Sequence, residues 1–379
     1  MLFPPSANQQ HPPLSMRAKH AMAIILIAMS CFSITGCKKA EPTPEARAES
    51  DSTKNALPKA ELPVPETVVA EETAEQEKII SQARALFGSR DFAALDKQAH
   101  ELREKKRIFP NGTSALRRLY IGIEKIDKKA PDAQWTALID ALNEWIKQKP
   151  ESITPRVALG ETLVSYAWKA RGTGYADTIT EEGGKLMAER LAVAHKVLFE
   201  ARNLGEKCPQ LWLAAQDVAL GEGWDANTYN ALCDEGLSLF PENQTIYLYK
   251  AYELQPRWYG KPGEWEQFAT ASAAKVGGDE GEILYARIIW YLNAKGLFKN
   301  IFKDSTVKWE RVRGSFEVLQ KRYPDSLQVI SEFARLSCNA GDWKKARELF
   351  TTIGFRVDSS VWTNKEHFVR YRSDAYAHQ

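Results

Sequence analysis

A surplus of charge of either sign is missing from this sequence. It carries 51 Lys and Arg against 49 Asp and Glu. Arg17 and Lys19 are the only charges ahead of Cys37, so the chain from Cys37 onward holds 49 of each sign. Without a basic excess there is no electrostatic footprint for nucleic acid, and none is expected as a partner. Cysteine is sparse as well. Cys31 lies in an N-terminal apolar run, and Cys208, Cys233 and Cys338 are odd in number and far apart. That spacing builds neither a disulfide framework nor a zinc site, and burial as small apolar side chains is the expectation. His11, His20, His100, His195, His367 and His378 form no His-Glu-x-x-His pattern. A phosphate loop and a Gly-x-Ser-x-Gly elbow are absent too, and Gly172-Thr173-Gly174 has no strand before it to make a dinucleotide fingerprint. Asp279, Glu280 and Glu282 read as the acidic start of a helix. No catalytic residue, metal ligand or cofactor is assigned.

A hydrophobic run long enough to span a membrane is also lacking. The uncharged stretch from Ala21 to Gly36 is 16 residues long, whereas a spanning helix needs roughly 20. It follows Met16, Arg17 and Lys19, which gives a positive n-region and then an apolar h-region. Residues 1–36 therefore read as a signal peptide with its true start at Met16. The prolines at 4, 5, 12 and 13 fit no signal helix. Ile34-Thr35-Gly36-Cys37 resembles the lipobox of bacterial lipoproteins. The resemblance implies cleavage before Cys37, a lipid on its thiol, and a mature chain held at the cell envelope. Lys38 stands where an Asp would resemble an inner-membrane retention mark, so the outer membrane, on its periplasmic side, is the expected address.

Residues 37–73 combine the lipidated cysteine with a linker. Pro42, Pro44, Pro58, Pro63 and Pro65 sit among Ala, Glu, Ser and Thr with few large apolar residues. Such a composition buries too little surface to offset its ordering entropy, so disorder is expected. From 74 to 379 the apolar spacing is that of helices. Leu116, Leu119, Tyr120, Ile123 and Ile126 make one stripe; Met187, Leu191, Ala194, Leu198 and Ala201 make another. The fold class is all-α. Ala334, Ala346 and Phe350, with offsets of twelve and four residues, resemble the packing positions of a tetratricopeptide unit, and Asp342 is the expected N-cap of its second helix. The expected architecture is a degenerate tetratricopeptide-like array of helical hairpins, an α-solenoid with long inserted loops.

Two insertions, 167–180 and 255–268, concentrate aromatic residues, Arg and Gly, and Trp224 follows Gly221-Glu222-Gly223 between them. Trp168, Arg171, Tyr175, Trp224, Arg257, Trp258, Tyr259 and Trp265 are the candidate binding residues, because Trp, Tyr and Arg dominate binding hot spots. Cementing of loops onto helices is the competing role for the same side chains. The passages Trp168–Thr180, Leu191–Trp212 and Pro256–Trp290, with Gly277-Gly278 and Leu284-Tyr285-Ala286-Arg287, resemble a bacterial family known only as a domain of unknown function. Its members are helical, tetratricopeptide-like and often exported. The resemblance implies a fold for under half of the chain and no reaction. The reading is an envelope lipoprotein acting as a non-enzymatic scaffold or as a binding module for protein or peptide partners, tied to the membrane through Cys37. An envelope hydrolase or accessory acting on peptidoglycan or peptides is the alternative, and a structural spacer the third. Clustered buried acids or a histidine near Trp258 would favour the hydrolase.

Overall fold

The computed structural model describes residues 64–172, 178–256, 258 and 260–378. Cys37 and the signal segment lie outside the described residues. Among the described residues there are sixteen helices and two three-residue strands, so the fold is all-α. No described helix is long and apolar enough to cross a membrane.

The helices alternate between two rows. An inner row runs through α3 (Ala115–Glu124), α5 (Thr154–Arg171), α7 (Pro209–Glu222), α9 (Gln244–Glu253) and α11 (Gly278–Ala294), each touching the next. The outer row packs over it. There α4 (Asp132–Gln148) covers α5, α6 (Glu181–Ala201) lies on α5 and α7, α8 (Ala226–Leu239) on α7 and α9, and α10 (Glu264–Val276) on α9 and α11. Farther on, α13 (Trp309–Arg322) bridges α11 and α14 (Leu327–Ala340), and α15 (Trp343–Ile353) packs on α14. The remaining helices are α1 (Glu71–Gly88) and α2 (Phe92–Lys105) at the start, the single turn α12 (Ile301–Asp304), and α16 (Lys365–Ala377) at the end. Outer helices are apolar on one stripe. Inner helices are covered on several sides, and α7 buries Leu211, Trp212, Leu213, Ala214, Ala215, Val218 and Ala219 together.

Local signals place the helix ends. Side chains of Asp91, Ser114, Thr180, Asp225, Asn243, Ser326, Asp342 and Asn364 each accept a hydrogen bond from the first turn of the helix that follows. Asp342 is the cap read from the sequence. Gly341 before it has φ of +79°, the left-handed conformation that ends α14 without a Cβ clash. Ala334, Ala346 and Phe350 are all buried where α14 meets α15.

The ends of the array are tied together. Strand β1 (Glu66–Val68) pairs in parallel with β2 (Arg356–Asp358), and the Gln328 amide of α14 donates to the Thr73 hydroxyl of α1. This corrects the expected boundary at 73: the structured body takes in 66–73. The linker composition of that segment is locally unfavourable to order, but a distant strand supplies its hydrogen bonds. Cys208, Cys233 and Cys338 are free and buried.

Candidate functional site

Five of the eight aromatic-loop candidates lie among the described residues, and they sit at separate places in the array. Trp168 and Arg171 end α5, where the guanidinium lies 5.5 Å from the Trp168 ring. Burial lowers the Arg171 pKa. Trp224 belongs to a separate cluster at the α6–α7 corner, 5.5 Å from the His195 ring and 5.9 Å from Phe199. Its indole N–H donates to Glu222, whose carboxylate also meets His195 Nδ1 at 2.9 Å. Trp265 is 2% exposed and packs on Phe298, so it cements α10 to the body. Trp258, 8% exposed, lies 5.8 Å from the ring of Tyr252 on α9. Among the described residues no ring contact joins any two of these four tryptophans. Tyr175, Arg257 and Tyr259 lie outside the described residues.

Tyr252 leads instead to a polar cleft that the inner row itself builds. Each inner helix contributes residues spaced to share one face: Arg117 and Glu124 seven apart on α3, Gln210 and Asp217 seven apart on α7, Tyr249, Tyr252 and Glu253 on α9. Glu161 comes from α5, Tyr291 from α11, and Lys295 from the residue that ends α11.

One side of the cleft is interlocked. The Arg117 guanidinium donates to Glu161 at 3.1 Å and lies 3.8 Å from Glu124. The Gln210 amide donates to the other oxygen of Glu161. Burial opposes the Arg117 charge, but Glu161 overcomes it and holds the guanidinium protonated. Burial, with Glu161 beside it, pushes the Glu124 carboxyl well above the usual range.

The other side has unused hydrogen-bonding capacity. The half-buried Asp217 side chain has no hydrogen-bond or ion-pair partner among the described residues, and loss of solvent, reinforced by Glu161, pushes its carboxyl up to about 7. Glu253 is 5% exposed, and its Oε2 has no hydrogen-bond partner. Burial raises its pKa well above the ordinary value, and Asp217 adds to the effect. At the same corner the buried Gln255 Nε2 and Trp258 Nε1 also have none. Buried polar groups are satisfied in the large majority of cases, so such a concentration calls for an explanation. Facing these groups is a wall of tyrosine. Tyr249 and Tyr291 stack at 6.1 Å, and Tyr252 meets Tyr291 edge-on at 6.5 Å. The Lys295 ammonium lies over Tyr291 at 4.8 Å and Tyr252 at 5.5 Å, and burial lowers its pKa.

Among the described residues no three His, Cys, Asp or Glu side chains converge closely enough to hold a metal ion. A depression of about 550 Å³ opens elsewhere, lined by Phe199, Arg202, Lys207, Trp212, Glu235 and Leu239. It is wide open, and its Arg202–Glu235 ion pair is already made. The cleft, with polar atoms buried and unsatisfied, is the stronger candidate.

Of the residues in the cleft, the aromatic-loop reading reached only Trp258. The overlooked signal was a lone acid within an apolar run of a well-covered helix: Glu161 in Val-Ala-Leu-Gly-Glu-Thr-Leu-Val of α5, Asp217 in Leu-Ala-Ala-Gln-Asp-Val-Ala-Leu of α7, Glu332 in Val-Ile-Ser-Glu-Phe-Ala of α14. Glu332 is satisfied by Asn293 and Arg335, whereas Asp217 is not. Comparison with protein-family models, curated proteins and solved structures finds nothing that matches this chain.

Proposed function

We propose that the protein is a bacterial envelope lipoprotein, anchored through lipid on Cys37, that works as a non-enzymatic binding module for protein or peptide partners. The cleft of the inner row is its recognition surface. One observation supports this reading above the others: the buried Glu253 Oε2 has no partner from the protein, and the half-buried Asp217 carboxyl on the next inner helix has none among the described residues, beside a stack of tyrosines. Unsatisfied buried groups cost stability, and a ligand that satisfies them recovers that cost. Helical arrays commonly offer such concave surfaces to partners. The Trp224 and Trp265 positions have the contacts of cementing residues.

The hydrolase reading also has an observation behind it. The acids Asp217 and Glu253 influence one another on neighbouring inner helices, and Asp217 holds its proton close to neutral pH, as a general acid must. A hydrolytic pair, however, needs one carboxylate kept ionised and free beside the protonated one. In the cleft Asp217 and Glu253 are both shifted toward the neutral form, while Glu161 is taken up by Arg117 and Gln210.

A photo-reactive amino acid at position 252 in living cells tests the proposal. The expected result is a discrete cross-linked species that is absent when the probe sits at Leu239, an exposed position on the outer row. Cys37→Ala, which removes the lipidation site, should move the protein out of the membrane fraction and weaken the cross-link. Identical products from positions 252 and 239 would overturn the reading. Release of soluble fragments from purified peptidoglycan, lost in Asp217→Asn, would replace it with the hydrolase.

A further inference from the structure

Away from the cleft, the junction that ties the ends of the array together leaves a second group of buried oxygens unpaired. Strand β1 and the first turn of α1 meet β2 and α14 there. The strand register sets Asp358 opposite Val68, four residues before Glu72. Asp358 is fully buried. Its Oδ1 accepts from the Ser360 backbone N–H at 2.8 Å, and its Oδ2 has no hydrogen-bond partner. Gln328, 2% exposed, donates from Nε2 to the Thr73 hydroxyl at 2.8 Å and to the Ser360 hydroxyl at 3.0 Å. Its Oε1, on the same carboxamide, has no partner. Glu72, next to Thr73 in α1, has its Oε1 buried and likewise unpaired. Hydrogen bonds thus chain Thr73, Gln328, Ser360 and Asp358 into one space built by three segments far apart in sequence. The three spare atoms are carboxylate and amide oxygens, which accept and do not donate. Among the described residues neither carboxylate has a cationic side chain within ion-pair distance. Loss of solvent raises the Asp358 pKa and Glu72 adds to it, against hydrogen bonds from Ser360.

We propose that this junction is a calcium site, with Asp358 Oδ2, Glu72 Oε1 and Gln328 Oε1 as ligands and the Thr73 and Ser360 hydroxyls beside them. Acceptors without donors call for a positive occupant. An anion would enter against two carboxylates. A neutral water could donate to two of the oxygens, but it would leave the repulsion between the carboxylates in place. The donor set then selects the cation. Only two acids meet here, fewer than a cluster of three charged ligands, and the amide and hydroxyl oxygens make up the rest. All are hard oxygens with no imidazole or thiolate among them, which disfavours the transition metals. Calcium takes carboxylates and Gln carbonyls together in a flexible shell, whereas magnesium demands a near-ideal octahedron and dehydrates reluctantly. Because the three ligands come together only when β1 docks on β2, a bound ion would staple 66–73 to the body and add to the stability of the folded state.

The test uses the full chain in detergent, stripped of metal with a chelator and titrated with calcium chloride up to about 10 mM, beyond the range of weak extracellular calcium modules. Hydrogen exchange followed by mass spectrometry should slow in 64–76, 326–332 and 355–362, with half the effect at about 0.1–1 mM. Exchange in 181–201, on the far outer row, should not change, and the thermal midpoint should rise. Magnesium should act at least about tenfold more weakly. Asp358→Asn and Glu72→Gln each keep the side-chain shape and remove one charge, so each should weaken the calcium response by about tenfold or more. In chelator, Asp358→Asn should melt at or above the parent's midpoint, because the repulsion is gone; a carboxylate with only a structural role predicts a lower one. Glu72→Gln, at a partly exposed position, keeps the test open if the buried variant fails to fold. Glu71→Gln, exposed in the same turn, should respond as the parent does. A parent indifferent to calcium would mean that water or a turned carboxamide satisfies these oxygens, and would overturn the proposal. So would protection outside the junction, an undiminished response in both charge-removing variants, or equal potency of magnesium.

Discussion

Asp217 shows how far a single residue can depart from its ordinary chemistry. In the unfolded chain its carboxyl loses its proton near 4, whereas burial in the cleft delays ionisation to about 7. The folded state therefore holds a proton that the unfolded state has lost. Its contribution to stability is fully present below about pH 4, declines as pH rises toward 7, and stays lost above that. Glu124 and Glu253 are shifted in the same direction. Asp217→Asn abolishes this dependence for one group. Its stability relative to the parent should rise from about pH 5 to about pH 8, with a gain on the order of 2 kcal/mol at the upper end. Urea denaturation at both pH values measures it. An equal difference between variant and parent at the two pH values would show that the carboxyl is solvated in the folded state.

At the scale of helices, the array depends on close crossings where a side chain has no room. Gly281, in the first turns of α11, is the clearest. A Cβ there would stand 2.2 Å from the Ala273 carbonyl oxygen of α10. Backbone cannot yield as a side-chain tip can, so Gly281→Ala must part the two helices. A loss of about 1–3 kcal/mol is expected. Gly314, exposed within α13, has nothing within 4 Å of the same added atom. Gly314→Ala should stabilise by about 0.5–1 kcal/mol through helix propensity. Opposite shifts of the thermal midpoint are the expected outcome. Shifts of the same sign would mean that α10 and α11 do not cross as described.

At the scale of the whole molecule, one side chain ties the first third of the structured body to the last. Arg287 of α11, 3% exposed, donates to the carbonyl oxygens of Phe109 and Pro110, to the Gln244 amide oxygen and to the Tyr323 hydroxyl. Its partners lie before α3, on α9 and after α13. Lysine cannot reproduce the planar fork, so Arg287→Lys leaves buried carbonyls without donors. A loss of about 2–4 kcal/mol is expected in denaturant unfolding. Native-state hydrogen exchange should speed up in α9 and α11 together. A loss confined to the loop before α3 would show that the array does not depend on this tie.

Much of the architecture is legible in the order of residues because helix information is local. Apolar stripes at i, i+3, i+4 and i+7, a capping Asp342 and a closing Gly341 act within a turn or two of themselves. The all-α class and the α14–α15 pair follow from them. The candidate site was less legible. Trp265 and Trp258 look alike in sequence, each on an aromatic loop, yet Trp265 meets Phe298 in the core and Trp258 meets Tyr252 at the cleft. The lone acids Glu161 and Asp217 mark buried positions, but not which of them finds a partner. Neighbouring inner helices decide that: Gln210 reaches Glu161, and nothing among the described residues reaches Asp217. The same holds for 66–73, whose composition is that of a linker and whose order comes from a strand near residue 357. Sequence alone determined what each segment is locally, because propensity and capping are short-range. Only the tertiary structure decided which polar groups share a space, because burial and charge depend on segments that meet far along the chain.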